Sequence, residues 1–501
     1  MTSFADAMRA VRVAAAIAAL AGVTGLRAQG QEDSARRRLE SGRAFLQSQN
    51  YGEALKDFQV VIQSYPTSSV ADDALLEIAT YYLEVAKDVR NADANADALL
   101  KQYPDSDSAP MALVLKGRVA LAAGLAPEQV NAAIASFDRV PRLFEGTAAV
   151  PAALYYSGEA ARLSGRRDDA IERFSRLTTQ YPRSSWTSRA LLGSASALVA
   201  AAQPLRALEQ LQRARLQFPS SREAATALEW NTILYRLYVR APAQPAYGFS
   251  AGIGGPAGRF RDVGDIAVDR QNNLLVAAKA GVTVLDAKGG VVRSIAVPEP
   301  RAVFFDLAGR TLTIHDEGGL REEGKPGVVL ATTTSDGKLK PLKLAAGVTT
   351  SQGDVLVADR DLKVVLRFSS DGKPKGEFVR QVVARRLAIG DLDDVAALDT
   401  DSKTITLLNR DGKIVARIPE RGAGYQFRQP VDVKFDRLGH LYVLDRSAVF
   451  VFGLQGSRLI TTFSVPERTP GAFGTPEALA LDSAARMYVF DARTDTVQVY
   501  Q

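Results

Sequence analysis

The spacing of apolar residues divides the chain into a helical half and a strand-rich half. In the first half, Ala54, Phe58 and Val61 recur every three or four residues until Pro66, which cannot continue a helix. Serines that can cap a helix follow the proline, and a second apolar stripe of the same period then begins. Beyond Arg240, apolar and polar residues alternate as they do in β-strands. The pattern predicts helix pairs followed by a β domain.

The helix pair recurs along the first half. A small residue, an anchor position four residues later and a proline eight residues after the anchor occur first as Ala54, Phe58 and Pro66. The anchors of the five copies, two of them degenerate, are Phe58, Ala96, Phe137, Phe174 and Leu211. Gly42 and Gly158 precede two anchors by equal distances, where a missing side chain lets two helices approach closely. Because one pair cannot bury its own apolar face, five pairs are predicted to stack.

These intervals resemble a slightly lengthened tetratricopeptide repeat. The segments "QSYPTSSVADDALLEIATYYL" and "TQYPRSSWTSRALLGSASAL" are similar to the module of BamD-like outer-membrane assembly proteins and of periplasmic cell-division coordinators, over about residues 34–236. The resemblance implies an α-solenoid, assigned to residues 29–240, whose groove binds an extended peptide or a partner helix. Aromatic residues at helical spacing build either a core or such a groove. The candidate groove residues are Tyr81, Tyr82, Tyr155, Tyr156 and Trp186.

Six strand units follow a linker over residues 241–260 that is rich in Pro, Gly and Ala. Their second strands end at Ala278, His315, Asp359, Asp399, Asp445 and Asp491, which is the period of a propeller blade. The recurring hydrophobic-x-Val-x-Asp pattern resembles the NHL-type six-bladed β-propeller, assigned to residues 261–501. The second unit departs most, because "REEGKPGVVLATTTSDGK" inserts before its outer strands. The fold class is therefore multidomain α + β.

The last strand unit lacks its outer strand, since the chain stops at Gln501. An unpaired strand edge invites aggregation. We expect the segment around Tyr247 to Gly252 to supply the strand that closes the ring.

The N-terminus predicts export. Arg9 and Arg12 precede a short apolar run from Val13 to Val23, as in a secretory signal peptide, assigned to residues 1–28; an N-terminal core helix or a retained anchor is the alternative. No other segment has the length and apolarity of a membrane span. The chain has no cysteine, which excludes disulfides, thiolate metal sites and a lipid anchor of the BamD type. Its net charge of +6 is unclustered, so no nucleic-acid partner is expected.

The residues that could carry chemistry are few. The chain has two histidines, His315 and His440, at different positions within their strand units, so structural or surface roles are expected for both. Several carboxylates near the predicted propeller mouth could bind calcium, but such residues more commonly accept hydrogen bonds from backbone amides in turns. These are Asp391, Asp393, Asp394, Asp399 and Asp401. No catalytic, metal or cofactor residues are predicted.

Two repeat folds with broad surfaces favour a non-catalytic scaffold of the bacterial cell envelope, periplasmic or peripherally associated with the outer membrane. The helical repeats would bind one protein, and the propeller would bind a second protein or cell-wall glycan. The alternative is a ligand-binding or metal-dependent enzyme propeller resembling sugar-acid lactonases, with a divalent cation in the central channel. An intracellular RNA-binding NHL protein is a third possibility, which needs a basic propeller face and a retained N-terminus.

Overall fold

The computed structural model describes residues 29–501, apart from residues 242–243, 256–257, 334–337 and 454–457. The predicted signal peptide, residues 1–28, lies outside the described residues. The chain divides into two compact units at Ala197 and Leu198. Within the described residues, no helix combines the length and the apolarity that a membrane span requires.

Eleven α-helices occupy the described part of the helical region, and a π-helical turn, Tyr235–Val239, extends the last one. Their bounds are α1, residues 29–47; α2, Tyr51–Ser64; α3, Ala71–Glu84; α4, Val89–Gln102; α5, Ala109–Ala123; α6, Pro127–Leu143; α7, Ala149–Leu163; α8, Arg167–Gln180; α9, Thr187–Ala200; α10, Pro204–Gln217; and α11, Arg222–Leu234. The first ten helices form the five predicted pairs, and α11 is an additional helix. This confirms the tetratricopeptide-like α-solenoid.

The anchor phenylalanines explain why the helices of a pair pack closely. Phe58, Phe137 and Phe174 are completely buried. A Cβ atom on Gly158 would lie 2.6 Å from the Phe174 ring, and Gly42 faces the Phe58 ring in the same way. Each ring therefore occupies the space that a glycine side chain would need, which confirms the predicted close approach.

The aromatic-proline junctions also connect successive pairs. The Tyr103 hydroxyl of one junction donates to the Pro66 carbonyl of the preceding junction at 2.8 Å. Ser108 Oγ donates to Asp73 Oδ1 across a similar interval of the chain at 2.9 Å. Hydrogen bonds at the repeat interval therefore help to fix the register of the stack.

The β region is a six-bladed propeller with four antiparallel strands in each blade. The strands of blades 1 to 3 are β2, Val263–Val268; β3, Leu274–Ala278; β4, Gly281–Leu285; β5, Val291–Ile295; β6, Ala302–Phe305; β7, Thr311–Ile314; β8, Gly319–Glu322; β9, Val328–Val329; β12, Leu344–Thr349; β13, Val355–Asp359; β14, Val364–Phe368; and β15, Pro374–Arg380. Those of blades 4 and 5 are β16, Arg386–Ile389; β17, Val395–Asp399; β18, Thr404–Leu408; β19, Ile414–Ile418; β22, Pro430–Phe435; β23, Leu441–Asp445; β24, Val449–Phe452; and β25, Leu459–Phe463.

Blade 6 combines strands from both ends of the β region. Its order is β1, Phe249–Ile253; β28, Thr496–Tyr500; β27, Met487–Asp491; and β26, Pro476–Leu481. Phe249 pairs with Tyr500 and Ile253 with Val497 in antiparallel register. The Tyr247 side chain just before β1 is almost fully buried. The outer edge of β28 is therefore covered by a strand from the start of the propeller.

Two short hairpins lie outside the blades: β10, Ala331–Thr333, with β11, Leu339–Pro341; and β20, Arg421–Gly422, with β21, Tyr425–Gln426. The first hairpin follows β9, the outer strand of blade 2. The expectation that residues 321–338 insert before the outer strands is therefore wrong, because this segment contains β9 and the first strand of the hairpin.

Candidate functional site

Three of the five candidate aromatic residues form one cluster in the helical unit. Tyr155 and Tyr156 lie on α7, and Trp186 immediately precedes α9. Each pair of these three rings has a centroid separation of 5.2 Å. All three side chains are half-buried. We call these residues the aromatic cluster; one side of it is available to solvent.

Buried core residues of the helices pack against the aromatic cluster. The fully buried Phe137 stacks on Tyr156 with ring centroids 5.9 Å apart, and the buried Phe174 lies 6.2 Å from Tyr155. Burial, with a contribution from the Glu159 charge, raises the pKa of Tyr155. The rings are therefore held in place by packing before any partner binds.

Two arginines flank the aromatic cluster. The Arg118 guanidinium lies 5.0 Å from the Tyr156 ring centroid, and that of Arg189 lies 5.0 Å from the Trp186 ring centroid. Arg118 also forms an ion pair with Glu84 at 2.7 Å. Since Glu84 ends α3 and Arg118 lies on α5, this contact connects α3, α5 and α7 along one surface of the unit.

The other two candidates, Tyr81 and Tyr82, form a separate aromatic set on α3. Tyr81 contacts Tyr51 and Tyr82, with ring centroids 5.4 Å apart in both cases. Within the described residues, neither ring contacts the aromatic cluster. The structure therefore places the five candidates in two groups, with Glu84, one turn beyond Tyr81, as the neighbour of Arg118.

Both histidines have hydrogen-bond partners on both ring nitrogens. His440 is completely buried; its Nδ1 lies 2.7 Å from Asp436 Oδ2 and its Nε2 lies 3.0 Å from the Tyr238 hydroxyl. His315 Nδ1 lies 2.7 Å from the Pro298 carbonyl oxygen, and its Nε2 lies 3.0 Å from Thr313 Oγ1. This geometry matches the structural roles expected for both residues.

The recurring aspartate at the end of the second strand ties loops to the blade. Asp445 Oδ2 accepts hydrogen bonds from the backbone amides of Arg428 and Gln429 at 2.8 and 2.9 Å. Asp491 Oδ2 accepts from the Gly474 amide, and Asp491 Oδ1 accepts from the Thr475 amide at 3.1 Å. In blade 2, His315 takes this position and bonds to a loop carbonyl instead. The signature used to recognise the blades is therefore architectural.

The carboxylates considered for calcium are engaged in similar local contacts. Asp393 Oδ1 accepts from the Ser351 amide at 2.7 Å, and Asp399 Oδ1 accepts from the Asp401 amide at 3.0 Å. Asp391 lies 3.6 Å from Arg437. No group of three or more His, Asp or Glu side chains within the described residues is arranged to hold a metal ion.

The propeller channel contains a cavity of about 240 Å³ that is lined by the inner strands. Its charged lining residues are Asp265, Arg386 and Lys434, and Asp432 lies close to the two cations. Lys434 Nζ lies 3.6 Å from a carboxylate oxygen of each aspartate, and Arg386 Nε lies 3.9 Å from Asp432 Oδ1. Alanine, glycine and aromatic residues also line the cavity, including Ala302, Ala346, Gly347 and Phe304.

The two channel aspartates also join neighbouring blades. Asp265 Oδ2 accepts from the Val303 amide at 3.1 Å, and Asp432 Oδ2 accepts from the Leu479 amide at 2.8 Å. Burial raises the pKa of Asp265 although the Lys434 charge opposes the shift. Two cationic side chains therefore already balance these two carboxylates, and the set does not fit a divalent cation.

The sequence did not indicate how α11 contacts the propeller. Arg236 donates to the carbonyls of Ala484 and Ala485 at 3.1 Å, and its guanidinium lies 4.4 Å from the Tyr247 ring centroid. Ser483 Oγ donates to Glu229 Oε1 at 2.8 Å. Together with the Tyr238–His440 contact, these bonds hold the end of the helical segment against turns of blades 5 and 6. Single polar residues on a helix carry no periodic signal that could have predicted these contacts.

The comparison with protein families supports the helical assignment. Residues 31–190 match the family model YfiO, described as an outer membrane lipoprotein, which is less than half of the 501 residues. No curated protein matches the chain.

Several solved structures resemble part of the chain. A gluconolactonase from Xanthomonas campestris is 16% identical, aligned over 50% of this chain and 98% of its own, with a TM-score of 0.37. A streptogramin B lyase is 9% identical over 51% of this chain and 97% of its own, with a TM-score of 0.38. The MamA protein is 16% identical over 37% of this chain and 92% of its own, with a TM-score of 0.29. At these scores the similarities carry no argument about function.

Proposed function

We propose that the protein is a non-catalytic scaffold of the bacterial cell envelope whose helical array, residues 29–240, binds one protein partner and whose propeller, residues 261–501, binds another. The aromatic cluster is the observation that carries this proposal. Tyr, Trp and Arg are enriched where protein interfaces gain most of their binding energy. Here three such rings and two guanidinium groups, those of Arg118 and Arg189, share one partly exposed surface.

Rigid aromatic side chains suit this role because a partner can cover them at little entropic cost. Phe137 and Phe174 fix the rings from below, so binding does not need to order them. Tyr81 and Tyr82 extend the proposed surface along α3, with Glu84 and Arg118 between the two aromatic groups. An extended segment or a helix of a partner would lie across α3, α5 and α7.

The envelope location rests on two observations: the match of residues 31–190 to an outer membrane lipoprotein family and the predicted signal peptide. The first of these is a family relationship of the helical part alone. We therefore propose a periplasmic protein, or one that is peripherally associated with the outer membrane.

Site-specific photocrosslinking in cells tests the scaffold proposal. A photoreactive phenylalanine analogue replaces Trp186 or Tyr81 in the full chain, and the control position is Leu143, which is 56% exposed on α6. The proposal predicts one envelope protein that is captured from Trp186 and Tyr81 but not from Leu143. Equal capture from all three positions, or none from Trp186, would overturn it.

The channel cavity favours a second candidate function, the binding of a small polar molecule in the propeller. Arg386 Nε is buried without a hydrogen-bond partner within the described residues, and Lys434 Nζ is farther from its carboxylates than a direct hydrogen bond allows. Both groups could donate to a ligand. A ligand that raises the melting temperature of the wild-type propeller but not of a Lys434→Met variant would support this candidate. If such ligands stabilise both proteins equally, the channel is not their site.

A further inference from the structure

Helix α11 and the π-helical turn that extends it expose an apolar seam, consisting of Ala225, Leu228, Thr232, Tyr235 and Val239. These residues follow one another at alternating intervals of three and four, which is the spacing of a helix-packing seam. Leu228 is 49% exposed, Tyr235 is 54% exposed and Val239 is 43% exposed. Thr232 Oγ1 donates to the Leu228 carbonyl at 3.0 Å, so this hydroxyl is already bonded within the helix. The seam is therefore apolar along its length and open to solvent.

The other faces of α11 already have partners. Ile233 and Leu234 are completely buried in the helical packing. Glu229 and Arg236 lie about two helical turns apart on the adjoining face, and both form hydrogen bonds with the propeller. The apolar seam is a third face, and the contacts that fix α11 in place leave it uncovered.

The repeat explains why this face is apolar. Leu228 and Tyr235 correspond, one repeat earlier, to Leu191 and Leu198, which are 0% and 1% exposed. Leu154 holds the position of Leu191 in the repeat before that and is 3% exposed. These positions are buried wherever further helices follow in the chain. After α11 the chain leaves the helical pattern for the propeller, so the seam retains the character of a packed face without the next helix.

Charge indicates what kind of helix would cover the seam. Between residues 204 and 240 the chain carries six arginines and three glutamates. The surroundings of the seam are therefore net positive. A second copy of this chain would bring the same charge against itself, whereas a helix with acidic flanks would be attracted.

We infer that the apolar seam binds an amphipathic helix of a partner protein, with apolar residues at the same spacing and Asp or Glu beside them, in the place of the next helix of the stack. The inference rests on the proposed scaffold function and adds a second contact surface at the end of the array. Helix-in-groove recognition of this kind reads apolar anchors at helical spacing.

Photocrosslinking followed by a binding measurement tests the inference in the full chain. The photoreactive analogue replaces Leu228 or Tyr235, and the control is Leu216, which is 82% exposed on the neighbouring helix α10. We expect adducts from Leu228 and Tyr235 that map to one acidic amphipathic helix and that are absent from Leu216. A synthetic peptide of that helix should bind the Leu228→Ala/Tyr235→Ala chain at least tenfold more weakly than wild type and the Leu216→Ala chain equally well.

Several outcomes would overturn the inference. In the crosslinking experiment, these are adducts that match those from Leu216, and adducts to a second copy of this chain, to lipid or to a basic segment. In the binding experiment, it is a peptide that binds the Leu228→Ala/Tyr235→Ala chain as tightly as the wild type. If Trp186 captures a partner while Leu228 captures none, only the inference fails and the scaffold proposal stands. If neither position captures a protein, both fail.

Discussion

Removing the Tyr247 hydroxyl should destabilise the propeller, because this hydroxyl takes part in two buried hydrogen bonds. The Tyr247 hydroxyl lies 2.8 Å from the Tyr442 hydroxyl and donates to the Ala485 carbonyl at 3.0 Å. Both tyrosines are almost fully buried. Tyr247→Phe would leave the buried Tyr442 hydroxyl without this partner, whereas the Ala485 carbonyl would keep its hydrogen bond from Arg236. A buried hydroxyl without a partner costs about 1–3 kcal/mol, and we expect a loss of about 2 kcal/mol in the free energy of unfolding.

The partner substitution distinguishes a network from two independent bonds. Tyr442→Phe removes one hydrogen bond but leaves Tyr247 bonded to Ala485, so it should cost only about 1 kcal/mol. In the Tyr247→Phe/Tyr442→Phe chain, no hydroxyl remains to be left unpaired. The double variant should therefore lose about 2 kcal/mol, less than the sum of the single losses, giving a coupling energy of about 1 kcal/mol.

Differential scanning calorimetry of the full chain measures these losses, because it can separate a propeller transition from that of the helices. For a domain of this size, Tyr247→Phe should lower the propeller melting temperature by roughly 4–8 °C. A shift below 1 °C, or strictly additive losses in the cycle, would show that the hydroxyl pair does not anchor the segment that precedes β1.

Three further predictions concern the repeats. Gly158→Ala places a methyl group against the Phe174 ring and should cost about 1–3 kcal/mol of helical stability, seen as an earlier loss of circular dichroism at 222 nm, while Phe174→Leu in the same chain should recover part of it. Asp491→Asn should lower the propeller melting point by weakening its bonds to loop amides, at about 2 kcal/mol, whereas the exposed Asp401→Asn should change stability by less than about 0.5 kcal/mol. Burial lowers the pKa of His315 below its ordinary value of 6.5, so the unfolded chain takes up the proton first as the pH falls. The contribution of neutral His315 to stability is therefore present above pH 6.5 and is lost at lower pH. Between about pH 7.5 and about pH 5, the melting temperature of the His315→Asn variant should fall less than that of the wild type.

The architecture was accessible from the sequence because both halves repeat. Each anchor such as Phe174 recurs at an interval that the length of one helix pair fixes. Four of the six blades repeat the aspartate exemplified by Asp491, whose bonds to loop amides need this residue type at this place. Repetition supplied several independent observations of the same contact. The fourth strand of each blade was less visible, since its residues face solvent and vary; Val291 and Val292 on β5 are about half exposed.

The site was only partly accessible. Helical spacing marked Tyr155, Tyr156 and Trp186 as candidates, but it could not show that their rings converge or that Arg118 stacks on Tyr156 while pairing with Glu84, because these contacts join three helix pairs. Lys434 and Arg386 meet in the channel from different blades, and nothing in the spacing of either residue indicates that. The NHL-type assignment of the propeller stays a prediction.

The central claim, that the aromatic cluster is a protein-binding surface, is tested most directly by the affinity of the partner captured from Trp186. Titration calorimetry with the purified full-length chain should show binding at least thirtyfold weaker to the Tyr155→Ala/Trp186→Ala variant than to wild type, since hot-spot aromatics carry about 2 kcal/mol or more. Leu143→Ala should bind as wild type does, and both variants should retain the helical circular dichroism signal. Unchanged affinity in a folded double variant would contradict the account.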